Sequence, residues 1–171
     1  SRAWETLPQL EPHIRPGARV VLHLLSAIQG RGSGDAAALT NHAGRALELL
    51  RGAAVTLPAA EEYTAIALNL RGMGLLWAGA EREAETSLTQ ALAVCDATGV
   101  ELPWINALGH LGLCAAGAGR LREAHERGTA AMTLADARGW NTLEQVSTTY
   151  LTLALVGMHR NDPMEAERVL Q

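Results

Sequence analysis

A repeat with a period near forty residues constrains this chain more than any other feature. Cys95-Asp96-Ala97-Thr98-Gly99 returns forty positions later as Ala135-Asp136-Ala137-Arg138-Gly139. Arg82-Glu83-Ala84 returns at the same spacing as Arg122-Glu123-Ala124, and Met164-Glu165-Ala166 is a weaker third copy forty-two further on. The register extends to other positions. Gly72, Gly112 and Ala154 lie twelve residues before Ala84, Ala124 and Ala166, and Gly79, Gly119 and Asn161 lie five before them. Ala27, Gly34 and Leu39 form a looser first copy. A repeat of this length is one supersecondary unit that cannot bury its apolar face alone, so neighbours must stack to complete the core.

Each unit reads as two helices. Apolar residues recur at spacings of three and four in Ile66, Leu68, Leu70, Leu75 and Leu76, then in Leu88, Leu92 and Val94. Ile105, Leu108, Leu111 and Leu113, then Leu121, Met132 and Leu134, repeat the pattern. No segment alternates with period two for long enough to make a strand. The pattern predicts helices over 17–30, 35–51, 60–78, 81–97, 102–117, 120–137, 141–159 and 162–171. Gly34, Gly79, Gly119 and Asn161 stand at the four equivalent turns, and Gly and Asn are the residues that tolerate a left-handed helix end. Gly99 and Gly139 sit where further helix C-caps are expected. Asn141 followed by Glu144 resembles a capping box for the seventh helix. Gly72 and Gly112, costly inside helices, are expected to face Ala84 and Ala124 across the turn of their own hairpins. Residues 1–16 carry Pro8, Pro12 and Pro16, too closely spaced for a long helix. They read as the end of a preceding repeat or as an N-terminal cap.

Composition narrows the function. Fourteen basic residues, all Arg, stand against eighteen acidic ones, for a net charge of −4. That balance argues against a nucleic-acid surface, which needs clustered positive charge. With 31 Ala, six aromatic residues and no Phe, the core must be built by small residues at close approach. The apolar runs are far shorter than the roughly 18–20 residues of a membrane span. No signal peptide is visible, so a cytoplasmic setting is expected. Cys95 and Cys114 lie within apolar helical pattern and read as buried, reduced thiols. The chain starts at Ser1 and stops at Gln171 inside a helical run, as an excised fragment would. The Arg-for-Lys and Ala/Gly bias is that of a high-GC source, such as an actinobacterium.

The small-residue signature Gly72…Ala84…Ala91 and Gly112…Ala124…Ala131 resembles the tetratricopeptide pattern. It departs in period, about forty rather than about 34 residues. Leu88 and Gly128 also replace the usual aromatic residue of the second helix, and Asp96 and Asp136 fall near the closing Pro. Longer, Ala/Leu/Arg-rich repeats of this kind look like the helical sensor region of MalT-like, LuxR-type transcriptional regulators. Leu153-Ala154-Leu155…Arg160-Asn161-Asp162-Pro163…Glu165-Ala166 has that character. The resemblance covers 17–171. It implies an all-α fold, a right-handed superhelix (solenoid) of about four tetratricopeptide-like hairpins. It also implies a non-catalytic ligand-sensing or protein-interaction domain within a larger regulator. The alternative is a free-standing adaptor that docks a partner protein or peptide.

Chemistry-bearing patterns are sparse. Without Lys there is no phosphate-binding Gly-x-x-x-x-Gly-Lys motif, and Gly30-Arg31-Gly32-Ser33-Gly34 reads as a turn. His110 and Cys114 share a helix face, but two residues do not make a metal site, and a packed histidine is the simpler reading. Arg120, Arg122 and Arg127 read as a solvated face. No catalytic set, metal site or cofactor is expected. In tetratricopeptide superhelices the first helices line the concave face, so Asn69, Met73, Trp77, Leu113 and His159 are the candidate groove for a peptide or small-molecule effector. Gly109 and Gly117 leave a side-chain gap beside Trp77 in that reading; the competing one makes Met73 and Trp77 plain inter-helix core. An oligomer is left open.

Overall fold

The computed structural model describes residues 2–52 and 57–161, together with Met164, Ala166 and Glu167. Its helices are α1 (Arg2–Thr6), α2 (Arg15–Ser33), α3 (Ala36–Leu50), α4 (Ala60–Trp77), α5 (Glu81–Thr98), α6 (Glu101–Gly117), α7 (Leu121–Arg138) and α8 (Ser147–His159). Among the described residues there is no strand. Six of the eight helices expected from periodicity are found within three residues of their predicted bounds, and the seventh, expected over 141–159, starts six residues late at Ser147. The eighth, over 162–171, lies largely outside the described residues. None of the described helices is long and apolar enough to cross a membrane.

The turn residues do what the repeat requires of them. Gly34, Gly79, Gly119 and Asn161 have φ of 71°, 74°, 74° and 58°, and Gly99 and Gly139 are left-handed as well. A side chain with a branched Cβ is excluded from this conformation by its own carbonyl. At the first turn Asp35 caps α3, its carboxylate accepting from the Ala38 N–H at 2.9 Å.

The chain forms two compact units, Ser1–Ser87 and Leu88–Gln171, with the boundary inside α5. In the first unit α3 packs between α2 and α4. A Cβ on Gly30 of α2 would stand 2.9 Å from the Leu39 backbone nitrogen. One on Gly74 of α4 would stand 2.3 Å from Thr40 Oγ1 and 3.1 Å from Leu39 Cγ. Leu39, fully buried, therefore fills the crossing of three helices that come together where two lack side chains. Ser87 Oγ donates to the Leu68 carbonyl at 2.9 Å and ties the opening of α5 to α4.

In the second unit α6 and α7 form a hairpin, and α8 packs against both. Almost every residue of α6 from Ile105 to Ala116 is buried, as befits a helix covered on several sides. Ile105, Leu108, Ala131, Ala135 and Val146 form its main core, with Trp104, Trp140 and Tyr150 packed around them. Ala124 and Ala131 are fully buried, as are Ala84 and Ala91. Arg138, in the last turn of α7, makes a two-pronged ion pair with Glu101, in the first turn of α6. Both charges suit the helix ends they occupy.

Two local expectations are corrected. Gly112 makes its closest approach to Thr152 rather than to Ala124. Its nearest neighbours belong to Thr152 of α8, whose Cγ2 would be 2.6 Å from a Cβ at 112. The glycine thus serves the packing of α6 on α8 rather than the turn of its own hairpin. The second correction concerns Asn141 and Glu144, which do not cap a helix. A 3-10 turn over Glu144–Val146 precedes α8, and the Asn141 carbonyl accepts from the Tyr150 hydroxyl at 3.2 Å. Fully buried Val146 anchors that turn in the core and delays the start of the helix.

Candidate functional site

Residues 2–16 fold back on α2 and α3 within the first unit. After α1 a 3-10 turn over Leu7–Gln9 brings Trp4 and Pro8 alongside α2 and α3. The result is a cavity of about 650 Å³ whose wall includes Trp4, Leu7, Pro8, Pro12, Pro16 and Leu49. Arg15, Arg19 and Glu48 stand at its polar edge. A second cavity of about 700 Å³ is lined by His23 of α2, by Thr40, Asn41, His42 and Arg45 of α3, and by Arg71 of α4. Glu48 borders both. The rings of Trp4 and His23, one from each lining, meet edge to face at 4.8 Å. The two cavities therefore adjoin.

The centre of the second cavity is a histidine pair. His23 Nδ1 and His42 Nδ1 lie 3.0 Å apart. At that distance one ring donates its N–H and the other accepts on a lone pair, so the two cannot both carry a proton at Nδ1. Burial lowers the His23 pKa below its ordinary value; the nearby charges of His42, Arg19 and Arg45 lower it further, and Glu48 opposes them. Burial first, and the surplus of positive charge second, thus favour the neutral form of His23. Arg45 and Glu48 form an ion pair at 2.7 Å, but both are well exposed, and such pairs add little stability. Among the described residues neither Arg19 nor Arg71 has a carboxylate within ion-pair distance.

The candidate groove residues are distributed differently. Asn69, Met73 and Trp77 belong to the first unit, and Leu113 and His159 to the second. Asn69 and Met73 are buried, Trp77 is 47% exposed, Leu113 is partly buried and His159 is exposed. The gap expected at Gly109 is filled, because Thr148 Oγ1 and Thr149 Oγ1 would stand 2.9 and 3.0 Å from a Cβ there. Gly117 does face open space.

The other chemistry-bearing residues named from the sequence make contacts within the second unit. Buried His110 donates from Nδ1 to the Asn106 carbonyl at 2.9 Å, since a carbonyl can only accept. Among the described residues no three His, Cys, Asp or Glu side chains converge as a metal would need. Arg120 pairs with Glu123 at 2.7 Å and Arg122 with Glu126 at 3.4 Å along α7. Arg127 bonds Glu123 at 2.6 Å and also donates to the Leu111 carbonyl of α6 at 2.9 Å. Cys95 and Cys114 are buried free thiols. Burial and the neighbouring Asp96 push the Cys95 pKa up to about 11. At neutral pH, Cys95 should resist iodoacetamide while the chain is folded and react once denatured, because the thiolate is the nucleophile. Mass-spectrometric detection of rapid native alkylation at Cys95 would contradict its placement.

The sequence matches no protein-family model and no curated protein. Among solved structures it is similar to the crystal structure of the apo form of RapI. The two superpose with a TM-score of 0.73 at 15% identity, over 96% of this chain and 57% of RapI. The fold is tetratricopeptide-like. This chain spans little more than half of its structural neighbour's length, and at that identity the likeness concerns the fold alone. Within the tetratricopeptide-like framework, the paired cavities of the first unit are the feature that sequence reading missed. Trp4, His23, His42 and Arg71 come from four different helices, and only the prolines of 1–16 hinted that this segment does something other than continue a repeat.

Proposed function

We propose that this chain is a non-catalytic ligand-sensing or protein-interaction domain of a multidomain, MalT-like, LuxR-type transcriptional regulator. The reading includes the right-handed superhelix of about four hairpins that the tetratricopeptide resemblance implies, and a cytoplasmic setting. The observation that carries it is the pair of adjoining cavities in the first unit, lined by side chains able to bind but not arranged to catalyse. No nucleophile with an oriented base lines them. Because α1, α2, α3 and α4 all contribute to their walls, a bound molecule would favour one arrangement of those helices over others. A shift in that population is a means of controlling a remote output domain.

The second reading, a free-standing adaptor that docks a protein or peptide, is favoured by Trp77. A tryptophan 47% exposed at the end of α4 is a large apolar surface with a polar N–H, the kind of residue that anchors a partner. Of the sequence-derived groove set, Asn69, Met73, Trp77, Leu113 and His159, this residue best keeps its proposed role as a contact. The test uses the full-length parent protein in a transcription-reporter assay. Arg71→Gln should abolish the effector response while Trp77→Ala leaves it, with DNA binding kept in both. Loss with Trp77→Ala alone supports docking, and an unchanged response in both overturns the sensing reading. A parent lacking nucleotide-binding and helix-turn-helix segments overturns the regulator and leaves the adaptor.

A further inference from the structure

We propose that the first unit binds a small organic anion with an apolar body. Its carboxylate or phosphate sits among Arg71, Arg45 and the His23–His42 pair, and its apolar part lies against Trp4 and the proline-lined wall. The proposal rests on the sensing reading and names the class of ligand that the site takes.

The charge count is the first support. Four arginines, Arg15, Arg19, Arg45 and Arg71, border the two cavities against a single carboxylate, Glu48. This surplus lies in a chain whose net charge is −4, so it runs against the overall composition. Arg15 is occupied, its Nε donating to the Leu10 carbonyl at 2.6 Å. Arg45 is held only by its exposed contact with Glu48, which a ligand anion can replace. Arg19 and Arg71 are available. Thr40 and Asn41 add a hydroxyl and an amide to the same wall. Arginine is suited to the task because its planar fork matches carboxylate and phosphate oxygens in pairs.

The histidine pair supplies the second support, by geometry. A single additional proton converts the donor ring to imidazolium while its Nδ1–H···Nδ1 bond to the other ring at 3.0 Å survives. A second proton would set two N–H groups against each other and break the contact. The pair is therefore built to carry zero or one charge. The groups facing it are Trp4 from α1, Arg19 on its own α2, Arg45 and Glu48 from α3, and Arg71 from the α4 side of the cavity. All but Trp4 and Glu48 repel the extra proton. An anion placed between them reverses that field, so binding draws a proton onto the pair. By linkage, affinity rises as pH falls.

The third support is the neighbouring apolar wall. Trp4 touches His23 directly, so a ligand whose head reaches the histidines has its body beside the indole and the prolines. Such pockets combine apolar area with a few fixed polar groups.

Isothermal titration calorimetry on the intact chain at low ionic strength tests this. The probes are phenyl phosphate, benzoate, inorganic phosphate, benzyl alcohol and benzylamine, each at about pH 6 and about pH 8, which bracket the histidine range. At least one aromatic anion should bind, more tightly at the lower pH and about tenfold more tightly than benzyl alcohol. The comparison of phenyl phosphate with benzoate decides between phosphate and carboxylate. Arg71→Gln should weaken that binding by about tenfold, the loss of a charge-assisted hydrogen bond. His42→Gln should remove the pH dependence while circular dichroism shows the helices intact. Benzyl alcohol or benzylamine binding as tightly as the anions overturns the anion assignment and leaves the cavity a ligand site. Inorganic phosphate matching phenyl phosphate overturns the apolar half. Failure of all five probes to bind overturns both this assignment and the cavity as a sensing site.

Discussion

Leu39→Ala is expected to destabilise the first unit by about 2–5 kcal/mol, the range for large-to-small changes in a packed core. Leu39 is fully buried at the crossing of α2, α3 and α4. The magnitude should fall toward the upper end for a specific reason. The residues opposite it are Gly30 and Gly74, which have no side chain to relax into the space. The backbones on both sides are held by helix hydrogen bonds, so the cavity persists. For a chain of this size the loss corresponds to a fall of roughly 4–20 °C in the melting temperature. Leu25→Ala is the control, because Leu25 lies on α2 but is 56% exposed. It should change stability by no more than about 0.5 kcal/mol. Equal effects of the two substitutions in a chemical-denaturation experiment would mean that the three helices do not cross at Leu39.

Gly112→Leu should destabilise the second unit by about 1–3 kcal/mol through over-packing. The cost has two parts. Thr152 Cγ2 would be 2.6 Å from the new Cβ and Thr152 Oγ1 would be 3.0 Å from it, both too close to keep. Thr152 cannot swing away freely, because its hydroxyl donates to the Gly109 carbonyl at 2.9 Å and the residue is fully buried. Moving it therefore also breaks a buried hydrogen bond, which contributes about 0.5–1.5 kcal/mol. Gly112→Ala separates this from helix propensity. Alanine should favour an open helix by about 1 kcal/mol, yet here the melting temperature should fall. Adding Thr152→Ala to Gly112→Ala should restore most of the loss, whereas adding a change at Ala124 should not. A stabilised Gly112→Ala single variant would overturn the close approach of α6 and α8.

The sequence determined what local chemistry decides. Gly34, Gly79, Gly119 and Asn161 marked the turns correctly because a left-handed φ depends on a residue's own Cβ and carbonyl. The helices were legible because an apolar stripe at spacings of three and four lines one face of a helix, which must then pack against a neighbour. Ala84, Ala91, Ala124 and Ala131 were legible as buried because small residues at repeat-equivalent positions imply close helix approach. Tertiary structure alone decided which helices approach. Gly112 fits equally well against Ala124 or Thr152 in one dimension; the stacking of α8 on α6 chose Thr152, and the same stacking filled the gap at Gly109 with Thr148 and Thr149. The repeat says that neighbours must meet, but the register between helices forty residues apart depends on the whole packed surface. The His23–His42 contact and the arginines around it have no sequence signature either. Their partners lie on separate helices at irregular spacings, and only the fold of residues 2–16 onto α2 and α3 completes the wall beside them.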